Sequence, residues 1–479
     1  MRSKLAMAAL LAGTTALVAL GTQGCGSDDS SAFPDGGLLL DDAGNPIPPD
    51  GSCEPFCNTT DGGTGGDAVK PCTNLCLQQT SCGGGAKTTI SGIVYDPAGK
   101  IPLYNVVVYV PNAPVSPITS GATCDTCGAM LSGSPLVATQ TNYKGEFTLE
   151  NMPVGANIPV VIQIGKWRRQ IVIPAVAACV NTPISDVNLT RLPRNTAEGD
   201  IPLIALTTGG ADPLECLPKK MGIDVAEFTK AGGTGRIQLY QGVGGATMAG
   251  GITGVQPFWT NLAELKKYDM VLLGCEGGEH NENKGGNPTS TAIHDYTEAG
   301  GRVFGTHYHY TWVEHGPADF KSTATFNHTG NPPNPSDGYI DTSFAKGQAF
   351  ADWMTNAPSA LKSNPPPIFS IADGRHDVDT VNNAVSTRWV FNTAQNLTYY
   401  YSFNAPVNAK PEAQCGKFVF SDLHVGAASG QSAGGTFPGN CSNMTLTPQE
   451  RALEFLLFDL SSCIQNDKDP PPPPPVLPN

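Results

Sequence analysis

The chain has 479 residues, enough for two or three domains. Only 15% of them are charged, while Gly reaches 55 and Pro 41, a balance that suits a loop-rich exported protein better than a helical cytosolic enzyme. A net charge of −14 leaves no electrostatic reason to hold a phosphate backbone, so nucleic acid is excluded as an expected partner.

Met1-Arg2-Ser3-Lys4 is a short basic start, and residues 5–20 are almost wholly apolar or small. That run is too short and too rich in Ala and Gly to favour a spanning helix, and it has the form of a secretory h-region. It ends in Gly21-Thr22-Gln23-Gly24-Cys25, which resembles the lipobox of bacterial lipoproteins, with Thr22 where Leu is usual. The resemblance implies a signal peptide over 1–24, a lipid on Cys25, and an exported protein anchored to a membrane, facing the periplasm or the cell surface. In that compartment most of the 14 cysteines should pair. Setting aside Cys25 leaves an odd number, so at least one is free or intermolecular.

Residues 25–85 are poor in large apolar side chains and read as a disordered stalk. Within it the repeated spacing of Cys53 with Cys57 and Cys72 with Cys76, followed by Cys82, suggests a small disulfide knot. No histidine is near to make a zinc site.

From residue 86 the pattern is β. Strands are expected at 89–96, 105–110, 136–141, 146–149, 158–164 and 170–173, punctuated by Gly, Pro and Asn, as in an antiparallel sandwich. The segments SGIVYDPAGKIPLYNVVVYV and TQTNYKGEFTLENMPVG resemble the carboxypeptidase regulatory-like domain, a prealbumin-like sandwich, over 86–193. The resemblance implies a non-catalytic spacer or binding module. Cys124 and Cys127, in a long loop, read as structural disulfide cysteines, because a loop lacks the helix N-terminus a redox CxxC needs. Lys166-Trp167-Arg168-Arg169 reads as a hairpin edge.

Beyond Asp200 apolar strands alternate with helices, the pattern of a parallel sheet covered on both faces. Strands are expected at 201–206, 236–240, 269–274, 302–307 and 416–424. Asn287-Pro288 should cap a helix running to Ala299. Thr447, Pro448 and Glu450 form a capping box ahead of a helix whose Leu453, Leu456, Leu457 and Leu460 share one face. The proline-rich tail, 465–479, should be extended and exposed.

In an open parallel sheet ligands bind beyond the carboxyl ends of the strands. Cys275, Glu276, His307, His309, Asp422 and His424 all fall at or just past such ends. His307 and His309, two apart on a strand, would share a face. With Asp422 and His424 they are the candidate ligands of a divalent metal. Cys275 with His307 as base is a candidate nucleophile, with His424 and Glu276 completing the catalytic candidates. Asp373, Asp377 and Asp379 lack the Gly and bidentate Glu of a calcium loop and read as a solvated turn.

YDMVLLGCEGGE, GGRVFGTHYHYTW and GKFVFSDLHV resemble the class I glutamine amidotransferase-like fold, and within it the ThuA-like group, over 199–464. This implies a flavodoxin-like α/β domain, with an unplaced insertion at about 312–395. The resemblance puts His307 where an amidotransferase carries its nucleophile and His424 at the catalytic histidine, so glutaminase chemistry is not expected. The expectation is therefore a cell-envelope lipoprotein that binds a glycan or other envelope polymer without turning it over. The alternatives are a carbohydrate-active or hydrolytic enzyme using His307 and His424, possibly metal-dependent, and a purely structural envelope protein.

Overall fold

The structure, a computed structural model, describes residues 72–476 except 128, 130 and 358. The expected signal peptide, Cys25, Cys53 and Cys57 lie outside the described residues. Among the described residues no helix is long and apolar enough to cross a membrane.

Seven strands make the first two sheets: β1 (Thr89–Ile93), β2 (Val107–Pro111), β3 (Pro135–Gln140), β4 (Glu146–Glu150), β5 (Gly155–Ile164), β6 (Trp167–Val176) and β7 (Asn181–Ile184). One sheet has the order β4-β1-β7 and the other β3-β2-β5-β6. Ile90, Phe147 and Leu149 from the first sheet share a buried core with Val108, Val110, Val160 and Ile162 from the second. Along β4 the burial alternates strictly, as expected of a strand with one face in a core. The pairing is not wholly antiparallel as expected, because β7 runs parallel to β1.

The third sheet has ten strands, in the order β15-β14-β17-β18-β19-β12-β11-β8-β10-β9. Its parallel half comprises β8 (Ile204–Thr208), β9 (Phe228–Lys230), β10 (Ile237–Gln241), β11 (Met270–Leu273), β12 (Arg302–Thr306) and β19 (Gly416–Ser421). Continuous apolar runs such as Met-Val-Leu-Leu in β11 are buried on both faces. The segment read as an unplaced insertion supplies the other half. Strands β14 (Ser336–Ile340), β15 (Ile368–Ile371) and β17 (Ser386–Asn392), with β18 (Leu397–Ala405), extend the sheet antiparallel from β19. A small hairpin-like pair, β13 (Ala324–Phe326) with β16 (Val378–Val381), sits beside it.

The helix Pro448–Ser461 carries the expected capping box of Thr447 and Glu450. It joins the two parts: Phe455 stacks on Tyr104, and Phe458 meets Trp167 edge-on. The helix before β12 starts later than expected, at Ala292, with Thr291 rather than Asn287 at its N-cap.

The cysteines correct the expected knot and stalk, and bear out Cys124 and Cys127 as structural disulfide cysteines. Cys72 does pair with Cys76, but Cys82 reaches Cys179 across the chain, so residues from 72 onward dock on the sandwich rather than belonging to a loose stalk. Cys124 and Cys127 do not bond to each other or to near neighbours. They staple their loop to Cys415 and Cys463 in the α/β part. Cys216 pairs with Cys441, and Cys275 is the free thiol among the described residues. The tail is not fully exposed either: Pro472–Pro475 lie over a cavity that they line together with the 118–132 loop. Its root is held by Asp467, which pairs with buried Lys346 and Lys417.

Candidate functional site

Three neighbouring parallel strands, β11, β12 and β19, end side by side. With strands about 4.8 Å apart, residues just beyond adjacent carboxyl ends come within side-chain reach of one another. Cys275 lies two residues past β11, His307 directly follows β12, and His424 lies three residues past β19.

The backbone at Cys275 is pinned from both sides. Its N–H donates to Thr306 Oγ1 at 2.9 Å, and its carbonyl accepts from Ala211 N–H at 3.0 Å. The loop after β8 reaches this close only because residue 209 is glycine. A Cβ there would lie 2.1 Å from the Cys275 carbonyl oxygen. His307 occupies the sharp turn from β12 into the 3-10 turn His307–Tyr310, at φ +37. A left-handed conformation at a non-glycine residue is costly and recurs where a side chain must be displayed at a strand end.

These constraints bring a thiol between two imidazoles. Cys275 Sγ lies 3.4 Å from His307 Nδ1, and the Gly277 N–H donates to the same sulfur at 3.4 Å. The His424 ring faces the His307 ring at 5.3 Å between centroids. One donor atom from each of Cys275, His307 and His424 lies within 4.8 Å of the others. The thiol and His424 are buried, His307 is 12% exposed, and Gly277, whose N–H reaches the sulfur, is exposed.

Each imidazole has a carboxylate behind it. His307 Nε2 stands 3.6 Å from Asp377 Oδ2, and His424 Nδ1 stands 3.7 Å from Asp373 Oδ2. Both are ion-pair rather than hydrogen-bond distances. Asp377 Oδ2 and both His424 ring nitrogens are buried with no hydrogen-bond partner in the protein. Beyond Asp377, His328 donates from Nδ1 to Asp377 Oδ1 and from Nε2 to Glu314 Oε2, each at 2.9 Å. Asp212 lies on the other side, accepting from the Val425 N–H at 2.9 Å.

The electrostatics follow from this layout. Burial pushes the Cys275 thiol up, but the contacts of His307 and His424 outweigh it and hold the group at about 5. Burial pulls His424 down, and Asp373 together with the Cys275 thiolate lifts it to about 10. Hydrogen bonding to Asp377 raises His328 to about 9. Burial raises Asp212 to about 7 against the pull of His424. Asp422 is pushed well up by burial and by the neighbouring charge of Asp377. Clustered shifts with named partners are characteristic of functional centres.

The remaining sequence candidates stand elsewhere. His309 is fully buried. Its Nε2 meets the Gly274 carbonyl at 3.1 Å, and its Nδ1 accepts from the Trp312 indole at 3.2 Å. It does not share a strand face with His307, because both lie on a 3-10 turn, and it has no free nitrogen for a metal. Asp422 lies behind the site and accepts from the Asp377 N–H at 3.1 Å rather than meeting an imidazole. Glu276 points away from the thiol and accepts from the Val243 N–H at 2.7 Å. Asp373 and Asp377, read from sequence as a solvated turn, are instead the acids behind the two histidines. Asp379 pairs with His376 at 2.7 Å. His328 and Glu314 carried no local pattern that could have marked them.

Among the described residues three clusters have metal-ligand spacing. The Glu215–Cys216–Cys441 group is discounted by its disulfide, and His294 with Asp295 and Glu298 lies on an outer helix, engaged with Asp319. Cys275, His307 and His424 remain as residues able to hold a divalent metal. The cavity under the proline tail, about 440 Å³, is separate and none of these three residues lines it.

No family model matches the chain. No curated protein matches it. Among solved structures it is similar over 26% of its length to 76% of a chain in a type II cohesin–X-dockerin complex from Acetivibrio cellulolyticus carrying a C-terminal interface mutation, with 14% identity and a TM-score of 0.16. A complex from the same organism with an N-terminal interface mutation is similar over 31% of this chain and 78% of its own, at 16% identity and a TM-score of 0.14. A 9R-lipoxygenase from Cyanothece is similar over 23% of this chain and 18% of its own, at 10% identity and a TM-score of 0.12. At such TM-scores these likenesses support no reading of fold or function.

Proposed function

We propose that the chain is a hydrolytic enzyme in which Cys275 is the nucleophile, His307 its base, Asp377 the acid that orients His307, and His424 a second imidazole that protonates the leaving group. One observation carries this reading: Cys275 Sγ, His307 and Asp377 form a line, 3.4 Å from sulfur to Nδ1 and 3.6 Å from Nε2 to carboxylate. A nucleophile, its base and an orienting acid in that order make an acyl-transfer centre whatever the fold. The thiolate attacks a carbonyl carbon, the leaving group takes a proton from an imidazolium, and water activated by His307 releases the acyl group from sulfur.

The resemblance to class I amidotransferases suggests how such a site arises. There the thiol stands on the strand-end turn. Here that turn displays His307 and the thiol comes from the neighbouring strand end, while His424 stands where the resemblance puts the catalytic histidine. On the same resemblances we read the sandwich as a prealbumin-like spacer and the whole as a lipid-anchored envelope protein.

The test is hydrolysis of chromogenic acyl esters by the full chain, with mass analysis for an acyl adduct on the Cys275 peptide. Turnover and adduct should both disappear in Cys275→Ser. An adduct elsewhere, or equal turnover in Cys275→Ser, would overturn the proposal. The 4.8 Å cluster of thiol and two imidazoles favours a second reading, a thiolate–imidazole metal centre. About one zinc or copper per chain, lost in Cys275→Ser, with no ester turnover, would put that reading first.

A further inference from the structure

A buried hydrolytic centre has a proton to dispose of. Ester cleavage near neutral pH turns one ester and one water into a carboxylate, an alcohol and one proton. Cleavage of an alkyl amide leaves no net proton, because the amine product takes it up. The Cys275 thiol and His424 are at most 2% exposed, so that proton has no direct way out through them.

We infer that the substrates are esters and that the proton leaves the site through His307, Asp377, His328 and Glu314. This inference rests on the hydrolytic reading above. Four residues alternate base and acid along one line. His307 faces the sulfur through Nδ1 and Asp377 Oδ2 through Nε2. Asp377 Oδ1 accepts from His328 Nδ1, and His328 Nε2 donates to Glu314 Oε2, both at 2.9 Å. The outer end is wet: the His328 side chain is 36% exposed and that of Glu314 32%. The inner end is dry, and the oxygen there, Asp377 Oδ2, is a buried acceptor with no other partner. Tyr310 stacks on the His328 ring at 4.0 Å and fixes its plane between the two acids.

His424, having given its proton to the leaving alkoxide, is recharged by the acid proton of the product, which departs as a carboxylate, so the one proton left to export is the one taken from water. Water attacking the thioester loses a proton to His307 Nδ1. His307 releases its Nε2 proton to Asp377 Oδ2, a gap of 3.6 Å that a closed catalytic complex must shorten. His328 sheds its Nε2 proton to Glu314 and thence to solvent. The neutral ring then changes tautomer through solvent at its exposed Nε2 edge, which frees Nδ1 to take the Asp377 proton, and carboxylate rotation with the matching tautomer change at His307 restores the starting state. His328 and Glu314 touch no reacting atom and are positioning and relay residues.

The test uses the full chain with p-nitrophenyl acetate in dilute buffer. His328→Gln keeps a side chain able to hydrogen-bond but unable to relay. Its first turnover, the burst of nitrophenol, should match the unsubstituted chain. Its steady-state rate should fall by about 10- to 100-fold, and added imidazole should restore it in proportion to concentration. Glu314→Gln should show a smaller loss with the same rescue. The relay is overturned if His328→Gln turns over normally in dilute buffer. It is also overturned if the burst slows in step with turnover and imidazole restores neither, which would be the signature of a structural role. Absence of both burst and turnover in the unsubstituted chain would overturn the hydrolytic reading itself, and the relay with it.

Discussion

The protonation of Cys275 is the property this site controls most strongly, and it can be read without knowing a substrate. The thiol is held at about 5 against an ordinary value of 9.0, and His424 at about 10 against 6.5. Burial opposes both shifts, so the mutual attraction of thiolate and imidazolium must exceed the desolvation of each. At roughly 1.4 kcal/mol per unit, the thiol shift is worth about 5 kcal/mol of preference for the thiolate. The sign is fixed by direction. The depressed thiol contributes stability above its unfolded value and loses it as pH falls through about 5. The raised imidazole contributes below its unfolded value and loses it as pH rises through about 10. Removing one of the two imidazoles in His307→Ala leaves a buried thiol facing His424 alone, and should return it upward by roughly two units, or about 3 kcal/mol. The assay is the rate of iodoacetamide alkylation against pH, read by mass on the Cys275 peptide. Half-maximal reactivity should fall near 5 in the unsubstituted chain and near neutrality or above in His307→Ala. A midpoint at the ordinary thiol value of 9.0 in both chains would refute the claim that these imidazoles hold a thiolate.

Two further substitutions test how the frame holds the site. Gly209→Ala places a Cβ 2.1 Å from the Cys275 carbonyl oxygen, a backbone atom tied on both sides. It should cost about 2 kcal/mol or more in chemical denaturation and slow alkylation of Cys275 at every pH. The Cys124–Cys415 bridge closes 291 residues, so Cys124→Ser with Cys415→Ser should lower stability by about 3–5 kcal/mol. Alkylation of Cys275 should keep its pH midpoint, because that bridge touches none of the three site residues.

What the sequence revealed and what it hid divide along the third sheet. Its parallel half was legible because each buried strand is a short apolar run, and the place where the run stops is where functional side chains project. Cys275, His307 and His424 were found that way. The antiparallel half, which includes β14, β15 and β17, was not. Its strands lie in a segment rich in Asn, Pro and Asp with no clear period, and they add one on another outward from β18, β17 first, then β14 and β15, rather than by a local pattern. His309 was misjudged for a related reason. The chain leaves the strand at Thr306, so the two-residue period that would put 307 and 309 on one face has already ended. The same split explains why the chemistry was misweighed. On sequence alone the carboxylates grouped with these histidines were Asp422 and Glu276, and the structure engages both elsewhere. Asp373 and Asp377 come from the segment that could not be placed, and they stand behind the two imidazoles instead. With a carboxylate behind each imidazole, His424 is held protonated beside the thiolate and His307 is oriented by Asp377. The reading of this site therefore turns on two aspartates whose roles no motif announces, and which become visible only when the edge strands fold back over the ends of the parallel ones.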